Sequence, residues 1–175
     1  MGGMSRAEQV AAELEGAYFE FADYAAGLGA EQWRMAAVNH PQIQSGEDER
    51  RPIGVVAHHL GETLPMFTER ALRLAAGSQL DPMSPAEMDA ANTRHAAVNP
   101  APDQAETVAM IRDNAARSAE LIRQLSDEEL DRAGQGALSE WNAEQLVRRV
   151  LIGHVAMHEG SIRAALEAPA SGEER

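Results

Sequence analysis

Apolar residues recur along this chain at three- and four-residue intervals in four long stretches, the period of a helix with one buried face. The first stretch opens at Ser5, where Ser5 and Glu8 form a capping-box pattern. Its stripe is Val10, Leu14, Ala17, Phe21, Tyr24 and Leu28, and Gly27 and Gly29 end it. The second starts at Pro52, whose missing N–H is no loss in a first turn, and runs to about Ala76 with Gly77 as its stop. Its stripe is Ile53, Val56, Leu60, Leu64, Phe67, Ala71 and Leu74, and Pro65 inside it predicts a kink rather than a break. Asp103 with Glu106 opens the third, whose inward positions are Val108, Ile111, Ala115, Ser118, Ile122 and Leu125. Asn142 with Gln145 opens the fourth, and residues 147–166 read as one helix with Val147, Val150, Leu151, Ile162 and Ala165 on its apolar side.

Shorter pieces connect these. The segment AEQW at 30–33 predicts one turn that lays Trp33 over the end of the core. Residues 35–51 are polar, carry Pro41 and Gly46, and end in a charged run, which predicts a solvated loop. Ser84 and Glu87 cap a short helix reaching about Val98, inside the long connection between the second and third stretches. Ser126 and Glu129 cap another, stopped by Gly134. Four long amphipathic helices with one long crossover, between helices 2 and 3, predict an all-α four-helix bundle in up-down-down-up order. The chain fits a single domain over 1–175, with a tail at 169–175 that is expected to fray.

Composition narrows the chemistry. The formal charge of −13, with no lysine among 15 basic residues, argues against a nucleic-acid partner, because phosphate neutralisation needs a basic patch. There is no cysteine, so no disulfide and no thiolate ligand or nucleophile comes from the chain itself. The N-terminus MGGMSRAEQ lacks an apolar signal segment, and no stretch reaches the ~18 apolar residues of a membrane span. A cytoplasmic protein without a membrane partner is expected.

The histidines are the sharpest chemical signal. His154 and His158 are four residues apart in the apolar stripe of the fourth helix, so both imidazoles leave the same inward side. Each buried ring nitrogen left without a partner costs about 1–3 kcal/mol, and a divalent metal satisfies two at once. In the second helix His58 projects almost opposite the stripe, whereas His59 lies about 90° from its centre, at the edge of the core beside Thr63 and Met66. Helices 2 and 4 can therefore bring His59, His154 and His158 together as a three-nitrogen metal site with open positions. His40 in the loop and His95 in the crossover are expected to be solvent-exposed or capping. Met35, Met66, Met110 and Met157 read as core filler, and Trp141 as a staple at the start of the fourth helix. No HExxH, Glu-x-x-His, phosphate-binding glycine loop or GxSxG motif is present.

Five segments in this order resemble the DinB-like superfamily, which includes the N-terminal domain of mycothiol-dependent maleylpyruvate isomerase and the bacillithiol transferases. AEQW at 30–33 resembles the family's L-s-e-e-W, and PIGVVAHHL at 52–60 resembles its s-v-x-x-v-x-x-H-L. MDAANTR at 88–94 resembles the asparagine segment of its crossover, and LIRQLSDEELDR at 121–132 is similar to its l-x-x-L-s-d-e-e-l. HVAMHEGSIR at 154–163 resembles its H-x-x-x-H-x-G-x-I-R. The resemblance covers nearly the whole chain and implies a metal-binding four-helix bundle whose ligands fall on His59, His154 and His158. It implies zinc or nickel as the metal, with a low-molecular-weight thiol such as mycothiol or bacillithiol as cosubstrate. The family's tryptophan ahead of the second-helix motif is replaced by Glu49, Arg50 and Arg51, so no substrate preference is carried over.

The leading expectation is a metal-dependent thiol S-transferase acting on a small-molecule electrophile. Its rivals are a metal-dependent hydrolase with the same ligands, and a non-catalytic metal-binding or structural bundle that forms a homodimer. An enzyme should show a pocket with convergent polar groups such as Glu62, Thr63 or Arg70 at its mouth; a structural module should not.

Overall fold

A computed structural model of the chain describes residues 3–38, 50–135 and 139–168. His40, most of the charged loop run and the tail at 169–175 lie outside the described residues. Among those described, the protein is all-α, with no strand and only two isolated bridges, Ala36 to Pro52 and Ala133 to Asn142. The long helices are α1 (Arg6–Ala26), α3 (Ile53–Ala75) and α5 (Gln104–Arg123). Between them lie the short α2 (Ala30–Arg34) and the crossover helix α4 (Pro85–Val98). After α5 come α6 (Asp127–Asp131), α7 (Ala143–Leu146), a π-helical segment (Val147–Ile152) and α8 (Gly153–Glu167). The last three form one continuous helical run, so the fourth long unit is interrupted by a π segment that a uniform 100° period does not predict. Among the described residues, no helix is long and apolar enough to cross a membrane.

The helix starts are chemically explicit. Ser5, Ser84, Ser126 and Asn142 each accept a hydrogen bond from the backbone N–H three residues on, and a Glu or Gln at that position returns the bond. Such caps are worth about 1 kcal/mol apiece and fix where each helix begins. Gly77 follows α3 with φ of 82°, a conformation that glycine adopts without strain. The second short helix, α6, ends at Asp131, earlier than the Gly134 stop expected.

Side-chain pairs set the direction of the long units. Arg123 at the end of α5 meets Glu15 in the middle of α1, and Arg112 meets Asp23 near the end of α1, so these two helices are antiparallel. Asn114 meets Gly61 and Ser118 meets Thr68, so α5 and α3 run the same way. Arg148 meets Glu13, and Arg163 stacks 4.0 Å from the Tyr24 ring, so the final unit runs parallel to α1. These directions agree with the up-down-down-up order expected. The ion pairs lie at or near the surface and contribute at most about 1 kcal/mol each; burial of Leu14, Phe21, Leu60, Ile111 and Leu151 supplies the larger stabilisation.

Two backbone irregularities are satisfied from a neighbouring helix. α3 runs through Pro65 as one element, and a proline removes the N–H that would bond the carbonyl four residues earlier. That carbonyl, on Gly61, accepts the side-chain amide of Asn114 at 2.9 Å. In the final unit Tyr18, wholly buried, donates its hydroxyl to the carbonyl of Leu151 inside the π segment at 3.2 Å. Buried positions step by four through this segment (Val147, Leu151, Val155) and only then return to alternating three and four (His158, Ile162, Ala165). Val150, expected inward, is only partly buried, and Val155 takes its place.

Trp33 lies over the end of the core as expected, donating its Nε1–H to the Pro102 carbonyl at 3.0 Å. It packs so close to Gly54 that a Cβ there would fall 2.5 Å from the ring. The methionines correct the sequence reading in part: Met35 and Met66 are exposed rather than core filler, because Met35 is the extended residue that ends α2 and Met66 falls just off the buried face of α3.

The Pro65–Asn114 relation is testable by a double-mutant cycle in urea denaturation. Asn114→Ala should cost about 1–2 kcal/mol by leaving the Gly61 carbonyl without its donor. In a Pro65→Ala background, where the helix supplies that donor, the same change should cost less than half as much. Equal costs in both backgrounds would show that Asn114 acts in some other way.

Candidate metal centre

His59 belongs to the second turn of α3, where burial of Val55, Val56 and Leu60 on either side carries it inward; it is 9% exposed. Across from it the final unit leaves the π segment at Ile152 and presents His154 and His158 on consecutive turns of α8. The three rings meet. Centroids of His59 stand 5.2 Å from His154 and 5.4 Å from His158, with the rings edge to face, and His154 and His158 are 4.6 Å apart. The Nε2 atoms of His154 and His158 face each other at 2.9 Å, and one nitrogen from each of the three residues lies within 4.8 Å of the others. Phe67 closes the His154 side with an edge-to-face contact at 5.5 Å.

The environment keeps His59 and His154 neutral. Burial pushes His154 down to about 3, with the neighbouring His158 adding to the effect. His59 is held well below the ordinary histidine range, first by burial and then by His154, His158, His95 and the Arg51 guanidinium. Neutral imidazole is the form that carries a lone pair for a metal. The Nδ1 atoms of His59 and His154 are buried with no hydrogen-bond partner, a desolvation cost of about 1–3 kcal/mol each if left so. Nitrogens from three imidazoles within 4.8 Å of one another, two of them facing at 2.9 Å, are an arrangement that a divalent cation fits. Cation–ligand distances of ~2.0–2.1 Å would place such nitrogens about 3–3.5 Å apart, close to the His154–His158 separation.

Other expectations fare differently. His95 was expected at the surface or in a cap, and the structure overturns this: it is 8% exposed and its ring lies 5.3 Å from that of His59. α4 has no apolar stripe, and His95 is its one fully buried residue, so periodicity had nothing with which to orient it. His58 stays outside the three-imidazole group and instead turns its Nδ1 to His95 Nε2 at 2.9 Å. Of the polar groups expected at the mouth, Glu62 lies 3.2 Å from His95 but does not line the recess. Thr63 turns back to bond the His59 carbonyl, and Arg70 reaches the Asp81 carbonyl on the surface. The recess beside the cluster is lined instead by Arg51, Val55, Val56 and Asn92 together with His59, His95 and His158. Arg51 is fixed there through its backbone, whose carbonyl accepts from the Ala37 N–H at 2.9 Å. Arg51 and Asn92 are residues that spacing alone missed; only Asn92 lay in a segment carrying a family resemblance.

Comparison with known proteins adds one finding. Residues 11–162 match the family model of the DinB superfamily. No curated protein and no solved structure gives a significant match to the chain.

Protonation gives the cluster a measurable signature in metal-free protein. His59 and His154 have folded-state pKa values below their unfolded value of about 6.5, so the unfolded chain binds more protons as pH falls. Their contribution to stability is complete above about pH 6.5 and is lost progressively below it, toward about pH 3 for His154. At pH 5 the loss from His154 should be roughly 2 kcal/mol. Urea midpoints at pH 7.5 and pH 5 measure it: His154→Phe should flatten the pH dependence, and an unchanged dependence in that variant would place the titration elsewhere.

Proposed function

The chain belongs to the DinB superfamily, and from that membership together with the imidazole cluster we propose that it is a metal-dependent enzyme, a thiol S-transferase. The observation that carries the reading is the convergence of His59, His154 and His158 beside a recess with a cationic wall. These three residues would hold the ion, and two of them, His59 and His158, also line the recess. A bound zinc or nickel ion supplies Lewis acidity, which lowers the pKa of a thiol so that it is nucleophilic at neutral pH.

The chain's own residues divide the remaining work. Val55 and Val56 give the recess an apolar wall, which favours a desolvated reactant. Arg51 puts a positive charge at the same recess and so selects an anionic group on the thiol or the electrophile. Asn92 places a polar amide on the same recess. Because the chain has no cysteine, the sulfur that forms the new bond must come from a cosubstrate, and mycothiol or bacillithiol is the class to try first.

The test begins with metal analysis of untagged protein, followed by turnover with mycothiol, bacillithiol, glutathione and coenzyme A against an aromatic chloride electrophile. Metal-dependent loss of one thiol is expected, with His59→Ala and His154→Ala lowering metal affinity by on the order of 10–100-fold or more. Arg51→Gln should raise KM about 10-fold or more with kcat changed far less, since it removes one charge-assisted contact. Protein that carries metal yet turns over none of these thiols would sink the transferase reading and leave a metal-binding bundle.

A further inference from the structure

α3 carries two adjacent histidines that face different neighbours. His59 joins His154 and His158, while His58 joins a second convergent group with Glu62 and His95. The spacing explains half of this: His58 and Glu62 are four residues apart and lie on one face of α3. The crossover helix α4 supplies the other half, since it lays His95 across that face. One ligand-type atom from each of these three residues lies within 4.8 Å of the others.

The atoms at the centre of the group are poorly served by protons alone. His95 Nε2 lies 2.9 Å from His58 Nδ1 and 3.2 Å from Glu62 Oε2. A neutral His95 has at most one proton on that nitrogen, which can serve one neighbour well or both poorly. If the proton is absent, the nitrogen lone pair faces a carboxylate oxygen. Two imidazoles and one carboxylate at this separation form an open N2O donor set suited to a divalent transition-metal ion.

We propose that His58, Glu62 and His95 form a second divalent-cation site, next to the three-histidine centre and separated from it by the His59 and His95 rings. The site is within reach of solvent from two sides. Glu62 is half exposed, and His58 also lines an open groove with Val98, Pro100, Pro102, Thr107 and Met110. The proposal stands independently of the transferase reading, since it uses none of the three ligands of the first centre.

Zinc stoichiometry tests it. Full-length protein stripped with chelator is titrated with zinc chloride by calorimetry, bound zinc is counted by mass spectrometry after desalting, and helical content is followed by circular dichroism. Wild type should bind two equivalents. Glu62→Gln, an exposed and conservative change, and His58→Ala should each keep the helical signal and weaken one equivalent at least tenfold, while His154→Ala should weaken the other. One equivalent in wild type, lost in His154→Ala but retained in both Glu62→Gln and His58→Ala, overturns this site and leaves the first standing. One equivalent lost in Glu62→Gln but kept in His154→Ala supports this site and overturns the first. No bound zinc at all overturns both.

Discussion

Taking imidazoles out of water is the constraint around which this bundle is arranged. His59, His95 and His158 are each less than a tenth exposed, and the Nδ1 of His59 is buried with no hydrogen-bond partner. In an all-apolar core that cost would be removed by replacing the rings with leucine or phenylalanine. Here the rings are instead gathered, edge to face, at the place where α3, α4 and α8 meet. The surrounding apolar contacts of α1, α3 and α5 supply the stability that lets the cluster persist.

The same division of labour runs through the backbone. Pro65 and the π segment both disturb the regular helical ladder, and both lie on the helices that carry the histidines. Neither disturbance is left buried and unpaired, because Asn114 reaches the Gly61 carbonyl and Tyr18 reaches that of Leu151. π segments recur at functional sites because an extra residue in a turn re-aims the side chains that follow it. In this chain those side chains begin with His154. The helices that carry none of the clustered histidines, α1 and α5, thereby repair the helices that do.

The cationic and polar groups around the cluster come from connections rather than from the long helices. Arg51 is held by a short bridge between the loop end and the α2 exit, where Ala37 and Ile53 donate to the Arg51 and Met35 carbonyls. Asn92 and His95 come from α4, which packs its single buried side chain onto α3. Such an arrangement lets the bundle fix the imidazole cluster while the connections set what can approach it.

Much of this was legible in the chain itself. The four capping patterns fixed the helix starts, because a Ser or Asn with Glu or Gln three residues on satisfies orphan N–H groups locally. Apolar periodicity placed Leu14, Phe21, Leu60, Ile111 and Ile162 inside, and the four-residue spacing of His154 and His158 placed them on one side of their helix. Phase also separated His59 from its neighbour His58. What needed the tertiary structure was everything decided between elements. The π segment slows the helical period, so Val155 replaces Val150 inside, and no local propensity announces it. His95 lies in a helix with no apolar stripe, so its burial depends on where α4 lands. The pairing of His58 with His95 and Glu62 follows from that landing. Local sequence determined the helices and their faces because caps and periodicity act within a few residues. The recess and the second cluster were decided by contacts between residues far apart in the chain, for which a single sequence carries no comparable signal.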